Sequence, residues 1–368
     1  MNMNNKHLLI IHPYFCIRAK KQVEALIENS KFKISIIANL NKKNLQLSDY
    51  IFNNTNVISF NFHKNIYHRM KFRHMLKKEF SNVDIIHCHN EPNYHIVDTI
   101  KVFSKKIPII YDIHDLTSMR TGEKCRYEKV AYEHSNIIIH VSEKFINYGN
   151  ELYIKKPSQV ILSAPSKKYI INKTKTLIKK DAYDFVYQGG IFDPSWKKKW
   201  KYSYRNYYPI FKSILEEGHH LHLFTKVEKN KLPSYMILNN NYENFHFHKS
   251  LNYKELISKI SEYDFGLAGF NFNDIQSASA KHYLNSALGN KMFDYLSAGI
   301  PVLTFNANAM SDFVKLNGCG FEKIESKSWT ETIQTNINNS TIFSIANKYC
   351  MENQISKLIS IYESLIKT

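Results

Sequence analysis

The run GNKMFDYLSAGIPVL, Gly289 to Leu303, puts a lysine in the opening turn of a helical pattern and an acid three residues later. A helix beginning near Asn290 points unpaired amides and a partial positive charge at whatever precedes it, and Lys291 adds a full charge at the same spot. Against the macrodipole such a lysine costs roughly 0.3–1 kcal/mol at an exposed site, and a bound anion reverses the penalty. Asp294 shares the face of Lys291 and could accept hydrogen bonds from vicinal hydroxyls; the same spacing also suits an ordinary i,i+3 ion pair on a solvated helix start. Paired glycines, Gly189 and Gly190, close the run DFVYQGG. There they either let the backbone approach a bulky group and leave amides for phosphate oxygens, or make a plain tight turn.

The elements that must position these residues are short apolar runs alternating with amphipathic stretches. HLLIIHP, KISIIAN, NVISFNF, VDIIHCH, IPIIYDIH and SNIIIHVS read as buried strands, with helical spacing in AKKQVEALIEN and YHIVDTIKVFSKK. After SQVILSAP comes a basic, core-poor piece, and the pattern then restarts with DFVYQGG, HLHLFTK, NFHFHKS, DFGLAGF, IPVLTF and GCGFEKI. Helix candidates between them include YPIFKSILEEG, YKELISKISEY and GNKMFDYLSAG, and NKYCMENQISKLISIYESLIK predicts a terminal helix. This alternation predicts an α/β protein of two Rossmann-like, doubly wound domains. The boundaries fall at 1–168, a basic linker over 169–182, 183–345, and a last helix over 346–368. In such sheets ligands sit beyond the carboxyl ends of the strands.

At 368 residues, two domains are also the expectation from size, and 43% hydrophobic and 14% aromatic content is enough to fill two cores. Five scattered cysteines with no CxxC suggest neither a disulfide framework nor a zinc knuckle. The formal charge of +18 favours anionic partners such as phosphates, nucleic acid or an acidic membrane. No apolar run approaches membrane length and the amino terminus lacks the apolar stretch of a signal peptide, so an intracellular protein is expected. No GxGxxG follows the first strand of either half, which counts against a dinucleotide dehydrogenase.

GNKMFDYLSAGIPVL resembles the signature of GT-B glycosyltransferases, in particular the family 4-like group of retaining, nucleotide-sugar-dependent enzymes. Other segments are similar in the same order: CIRAKKQVEAL to the arginine-bearing first helix, VDIIHCHN and KIPIIYDIHDL to the histidine-bearing strands, FVYQGGI to the first strand of the nucleotide half, and KYCMENQISKLISIYESLI to the helix that returns to the first domain. The resemblance implies a donor set of Gly189, Gly190, Lys226, Asn290, Lys291 and Asp294, with Asp294 binding the ribose where the family usually has Glu. The second acid of the fuller motif is replaced by Ser286. It implies His114 and Asp115 as catalytic residues beside the transferred sugar, and Arg18, His89 and Asn90 on the acceptor side, Arg18 standing in for a missing glycine-rich loop in HPYFCIRAKK. No cofactor is expected and, with no Asp-x-Asp in the chain, no metal.

The implied activity is transfer of a sugar from a nucleotide-sugar donor to a glycan or lipid-linked acceptor in bacterial surface polysaccharide synthesis, in the cytoplasm or at the inner membrane face. A sugar-nucleotide epimerase of the same fold and a scaffold with a dead site are alternatives. A basic nucleic-acid-binding protein is another, but the chain shows no nucleic-acid-binding module signature and no such partner is expected. Paired histidines on one strand face, His87 with His89, His220 with His222 and His246 with His248, could ligate a metal, but without a nearby Cys or a consistent acidic third ligand they read as packing or sugar contacts. HKNIYHRMKFRHMLKKEF, residues 63–80, fits either a basic amphipathic helix on anionic lipid or a core helix with a solvated basic face. WKKKWKYSYR, Trp196 to Arg205, could clamp the donor phosphates, meet an anionic acceptor, or be a charged loop.

Overall fold

The computed structural model describes residues 6–42, 45–103, 106–172, 180–196, 200–333 and 337–367, the side chains of 200–202 excepted. The chain divides into two units, Met1–Ser163 with Met351–Thr368, and Ala164–Cys350.

In the first unit, β1 (His7–Ile11), β2 (Lys33–Ala38), β3 (Asn56–Ser59), β4 (Ile85–His89), β5 (Ile109–Asp112), β6 (Ile137–His140) and β7 (Ser158–Val160) form one sheet in the order β3-β2-β1-β4-β5-β6-β7. All neighbours are parallel. A parallel sheet is covered on both faces, which is why its central strands are continuous aliphatic runs rather than alternating ones. Leu8, Ile10, Ile36 and Ile110 pack against Ala19, Val23 and Leu26 of the helix Ile17–Asn29, and the same cluster takes in Ile355, Leu358 and Tyr362 of the helix Met351–Lys367. The strand order reverses between β1 and β4, so the chain leaves those two strands in opposite directions and a crevice opens at their carboxyl ends. His12 follows β1 there, and Asn90 follows β4.

The second unit repeats the plan. β8 (Asp184–Gln188), β9 (His220–Phe224), β10 (Phe245–His248), β11 (Phe265–Gly269), β12 (Val302–Phe305) and β13 (Gly320–Glu322) run parallel in the order β10-β9-β8-β11-β12-β13. Its core is aromatic, built on Phe185, Tyr187, Tyr207, Phe211, Phe265, Phe305 and Trp329. The reversal lies between β8 and β11, and Gly189 is the first residue beyond β8.

The sequence reading ends the first domain at 168 and starts the last helix at 346, whereas the units meet at Ser163/Ala164 and Cys350/Met351. Of the linker 169–182, residues 173–179 lie outside the described residues. Ile171 belongs to the second unit, its amide donating to the Ser297 carbonyl at 2.7 Å. The terminal segment is two helices, Asn339–Lys348 and Met351–Lys367.

The basic stretch 63–80 is the helix Ile66–Glu79, with one face in the core and one exposed. Phe72 and Leu76 are buried, and Arg69 and Arg73 grip the buried Asp98, while Ile66, Tyr67 and Met70 are 64%, 60% and 60% exposed. No described helix is long and apolar enough to cross a membrane.

Candidate functional site

In the second unit the chemistry gathers where β8 ends. Gly189 has φ of +127°, a conformation L side chains rarely adopt, so the chain needs glycine to turn there. A Cβ on Gly189 would lie 3.3 Å from Cε and 3.4 Å from Nζ of Lys291, and one on Gly190 would lie 2.8 Å from Nη1 of Arg205. Two cationic side chains therefore close on a stretch of backbone stripped of side chains. Beside it is a cavity of about 250 Å³, whose lining includes Gln188, Gly189, Gly190, Thr225, Lys226 and Ser250.

Lys291 sits in the first turn of the helix Asn290–Ser297, which packs on β11 and β12 and buries Met292, Phe293, Tyr295 and Leu296. Its side chain turns inward. The ammonium bonds the Tyr187 hydroxyl and stands 3.8 Å from the centre of that ring, and Tyr187 passes its own proton to the Gly190 carbonyl at 2.7 Å. Among the described residues no carboxylate comes within ion-pair distance of Lys291, so the expected i,i+3 pair with Asp294 does not form. Burial first, and the Arg205 guanidinium second, hold the Lys291 ammonium well below the ordinary lysine range, with Asp294 opposing them.

Asp294 is 7% exposed, and its oxygens are already addressed by protein donors, Tyr253 Oη at 2.6 Å and Gln188 Nε2 at 2.9 Å. Ser286 supplies no second acid: it is buried and donates to the His282 carbonyl of its own helix at 2.8 Å. Asn290 and Lys226 are exposed. In the basic stretch 196–205, residues 197–199 lie outside the described residues, and Arg205 is the member placed at the glycines. Tyr187 and Tyr253 join the candidate site without being singled out by motif reading, and Arg205 was read only as the end of the basic run 196–205.

In the first unit, Asp112 closes β5 at zero exposure. It accepts from Arg18 Nη2 at 3.0 Å, Arg18 Nε at 3.2 Å, Gln22 Nε2 at 3.0 Å and His87 Nε2 at 3.3 Å. Burial works against its charge, yet the Arg18 guanidinium and then the His87 bond hold its carboxyl well below the usual range. This corrects the acceptor set expected from sequence. Arg18 is 3% exposed and its Nη1 donates to the Ile161 carbonyl at 2.7 Å, so it neutralises a buried acid instead of reaching an external anion. His89 and Asn90 are each 1% exposed. The His89 ring lies flat against His87, with centroids 4.4 Å apart. Asn90 accepts from the His114 amide at 2.7 Å and donates to the Asp115 carbonyl at 2.6 Å, so it sets the backbone of the residues beside it.

His114 follows β5 with both ring nitrogens engaged, Nε2 to His89 Nδ1 at 2.9 Å and Nδ1 to Cys16 Sγ at 3.5 Å. Burial opposes it, but the Cys16 sulfur raises the imidazole's pKa; in return His114 and then His12 bring the Cys16 thiol well below its usual value against burial. The two groups therefore favour each other's charged form, and both His114 ring nitrogens are engaged in this arrangement. Asp115 is the more open of the two residues read as catalytic, 41% exposed at its side chain and 3.9 Å from Arg120.

Residues 206–345 match the family described as Glucosyltransferase 3-like, C-terminal domain. No curated protein matches the sequence. Among solved structures, the sucrose-phosphate synthase of Thermosynechococcus elongatus superposes with a TM-score of 0.71 at 11% identity, over 99% of this chain and 100% of that one. A glycosyltransferase from Rickettsia africae gives 0.70 at 11% identity, over 99% and 100%. Anabaena HepE in complex with UDP gives 0.66 at 11% identity, over 98% and 100%. With its two parallel α/β units, its terminal helix in the first of them and these neighbours, the chain has the GT-B fold of the nucleotide-sugar glycosyltransferases that its sequence resembles.

Proposed function

We propose that this chain is a metal-independent glycosyltransferase of the family 4-like kind, moving a hexosyl group from a nucleoside diphosphate sugar to a glycan or lipid-linked acceptor. The observation that carries the reading is Lys291 held beneath Gly189, with Arg205 beneath Gly190 and no acid paired to the lysine among the described residues. Breaking the bond between sugar and phosphate leaves negative charge on the departing diphosphate, and fixed donors aimed at that charge lower the barrier. Lys291, Arg205 and the amides of the glycine turn supply such donors without a metal. In this reading Asp294, oriented by Tyr253 and Gln188, is the group that meets the ribose hydroxyls. The likeness to a protein solved with UDP supports a uridine nucleotide as the first donor to test.

The exposed Ile66, Tyr67 and Met70 on a helix carrying Lys71, Lys77 and Lys78 support a second part of the proposal, reversible docking on an anionic membrane surface. That would bring the enzyme to lipid-linked acceptors of surface polysaccharide synthesis at the inner face.

A thermal-shift screen of UDP, GDP and ADP sugars tests the donor assignment. A ligand at a hundred times its dissociation constant should stabilise by about 2.7 kcal/mol. Lys291→Ala should fold normally and lose that shift. A shift that survives in the variant, or donor turnover by epimerisation with no acceptor present, defeats the proposal.

A further inference from the structure

The first unit holds a group of side chains to which the donor-site reading above gives no role. β1 delivers His12 to the crevice, and the turn that follows, with the Phe15 amide donating to the His12 carbonyl at 3.3 Å, brings Cys16 back toward it. Cys16 is the N-cap residue of the helix Ile17–Asn29, and its side chain makes no capping bond, so the sulfur is not spent on the helix. β5 delivers His114 to the same place. His12, Cys16 and His114 each present a donor atom within 4.8 Å of the other two, and Cys16 Sγ stands 3.5 Å from His114 Nδ1.

A second, independent observation points to a ligand. His12 is 2% exposed, and neither of its ring nitrogens has a hydrogen-bond partner. A buried imidazole with both nitrogens idle is costly unless something fills the position. The neighbouring triad His87, His89 and Asp112 gives the contrast: Asp112 is saturated by Arg18, Gln22 and His87, and His87 Nδ1 meets the Tyr362 hydroxyl at 2.6 Å, so it needs nothing further.

We propose that one nitrogen of His12, Cys16 Sγ and His114 Nδ1 form a three-ligand site for a thiophilic divalent transition metal, zinc being the best match, with a fourth position left for water or another oxygen ligand. One sulfur and two imidazole nitrogens suit a borderline-soft ion and disfavour magnesium or calcium, which take oxygen. The surroundings fit as well. His114 is oriented through Nε2 by His89 at 2.9 Å, and His89 lies 3.7 Å from the Asp112 carboxylate and stacks on His12 with centroids 5.0 Å apart. An orienting bond on the second nitrogen and a carboxylate behind it are the usual support of a ligating imidazole. On coordination the Cys16 thiol gives its proton to solvent and binds as thiolate. The ion would tie the turn after β1, the start of the Ile17 helix and the end of β5 to one another. All its ligands come from the first unit, whereas the diphosphate cations come from the second.

The test is cobalt substitution in the untagged, full-length protein stripped with a chelator. Titration with Co²⁺ should produce, at one equivalent, a thiolate-to-cobalt charge-transfer band with intense visible ligand-field bands, and Zn²⁺ should displace them. Cys16→Ser should abolish the charge-transfer band, and His12→Gln should weaken Zn²⁺ binding by at least about tenfold, each with an unchanged far-ultraviolet circular dichroism spectrum. Cys125→Ser, at the other part-exposed cysteine, should change neither. A missing band, a band that survives Cys16→Ser, or Zn²⁺ affinity unmoved by His12→Gln overturns the proposal. None of these outcomes bears on the sugar-donor reading, since each reads metal alone.

Discussion

The Lys291 ammonium stands over the face of Tyr187, 3.8 Å from the ring centre, and is hydrogen-bonded to the hydroxyl of that same residue. A cation so placed leans on a ring and a neutral oxygen, with no carboxylate within ion-pair distance among the described residues, and that sets up the first prediction. Burial and Arg205 lower its pKa well below 10.5 in the free protein, and a diphosphate would raise it again. Between the depressed and restored values the complex holds more proton than the free protein, so nucleotide binding should take up a fraction of a proton, at most one. Titration calorimetry of UDP in buffers of different ionisation enthalpy should show that uptake, and Lys291→Met should abolish it. The same shift has a stability sign. The unfolded chain keeps the proton that the folded one sheds, so the Lys291 contribution to stability should rise with pH between the depressed value and about 10.5.

The two glycines should separate binding from folding. The three atoms nearest a methyl group at Gly190 all belong to the flexible side chain of Arg205, the closest being Nη1 at 2.8 Å. Gly190→Ala should therefore cost about tenfold in UDP affinity, equivalent to about 1.4 kcal/mol, with little change in melting temperature. Gly189→Ala forces a non-glycine residue to φ of +127° and crowds Lys291, so it should cost roughly 1–3 kcal/mol of stability as well. Isothermal titration and thermal denaturation of the two variants side by side check the contrast.

Much of this was legible in the chain. The twelve apolar runs read as strands are strands, and the central ones are the clearest because a strand buried on both faces in a parallel sheet is apolar along its length. The short β7, Ser158–Val160, is half-buried along its length and lacked that signal. The break between Lys348 and Met351 has no proline or glycine to announce it; one helix packs in the second unit and the next in the first, so packing rather than propensity ends the first helix. At the site, Gly189 and Lys291 were readable because each lies at a recognisable element end. Arg18 was misread because an arginine after the first strand looks the same whether it faces a ligand or a buried acid. What decides it is Asp112, 94 residues further on, which no local pattern connects to it. Arg205 and Tyr253 are likewise defined by partners that only the fold brings near.

A glycine far from any motif supports the donor helix. A Cβ on Gly266 in β11 would fall 2.1 Å from Cγ of Tyr295, a fully buried ring whose hydroxyl accepts from the Gln188 amide at 3.1 Å. The ring cannot yield without moving the helix that carries Lys291 and Asp294. Gly266→Ala should destabilise by at least about 3 kcal/mol, at the upper end for overpacking. Urea unfolding should show Gly266→Ala/Tyr295→Leu to be less destabilised than the sum of the single variants, since the smaller side chain makes room for the methyl group.

The last prediction concerns acid. His95 and His140 are buried at zero exposure, and burial pulls the imidazoles down to about 3 in each case. Both are neutral in the folded chain at mild pH, while in the unfolded chain they take up protons near 6.5. Below 6.5 the unfolded state therefore binds more protons, and the stability present above that pH is lost as the pH falls toward 3. Each group should contribute a slope of up to about 1.4 kcal/mol per pH unit. Urea unfolding at pH 7.5, 6 and 5 should show the steep decline, and replacing either histidine by glutamine should flatten it by about that amount even where the variant is less stable at pH 7.5. If a variant is displaced downward but keeps the parental slope, the imidazole was already charged in the folded protein, and the burial that excludes water from His95 or His140 does not hold in solution.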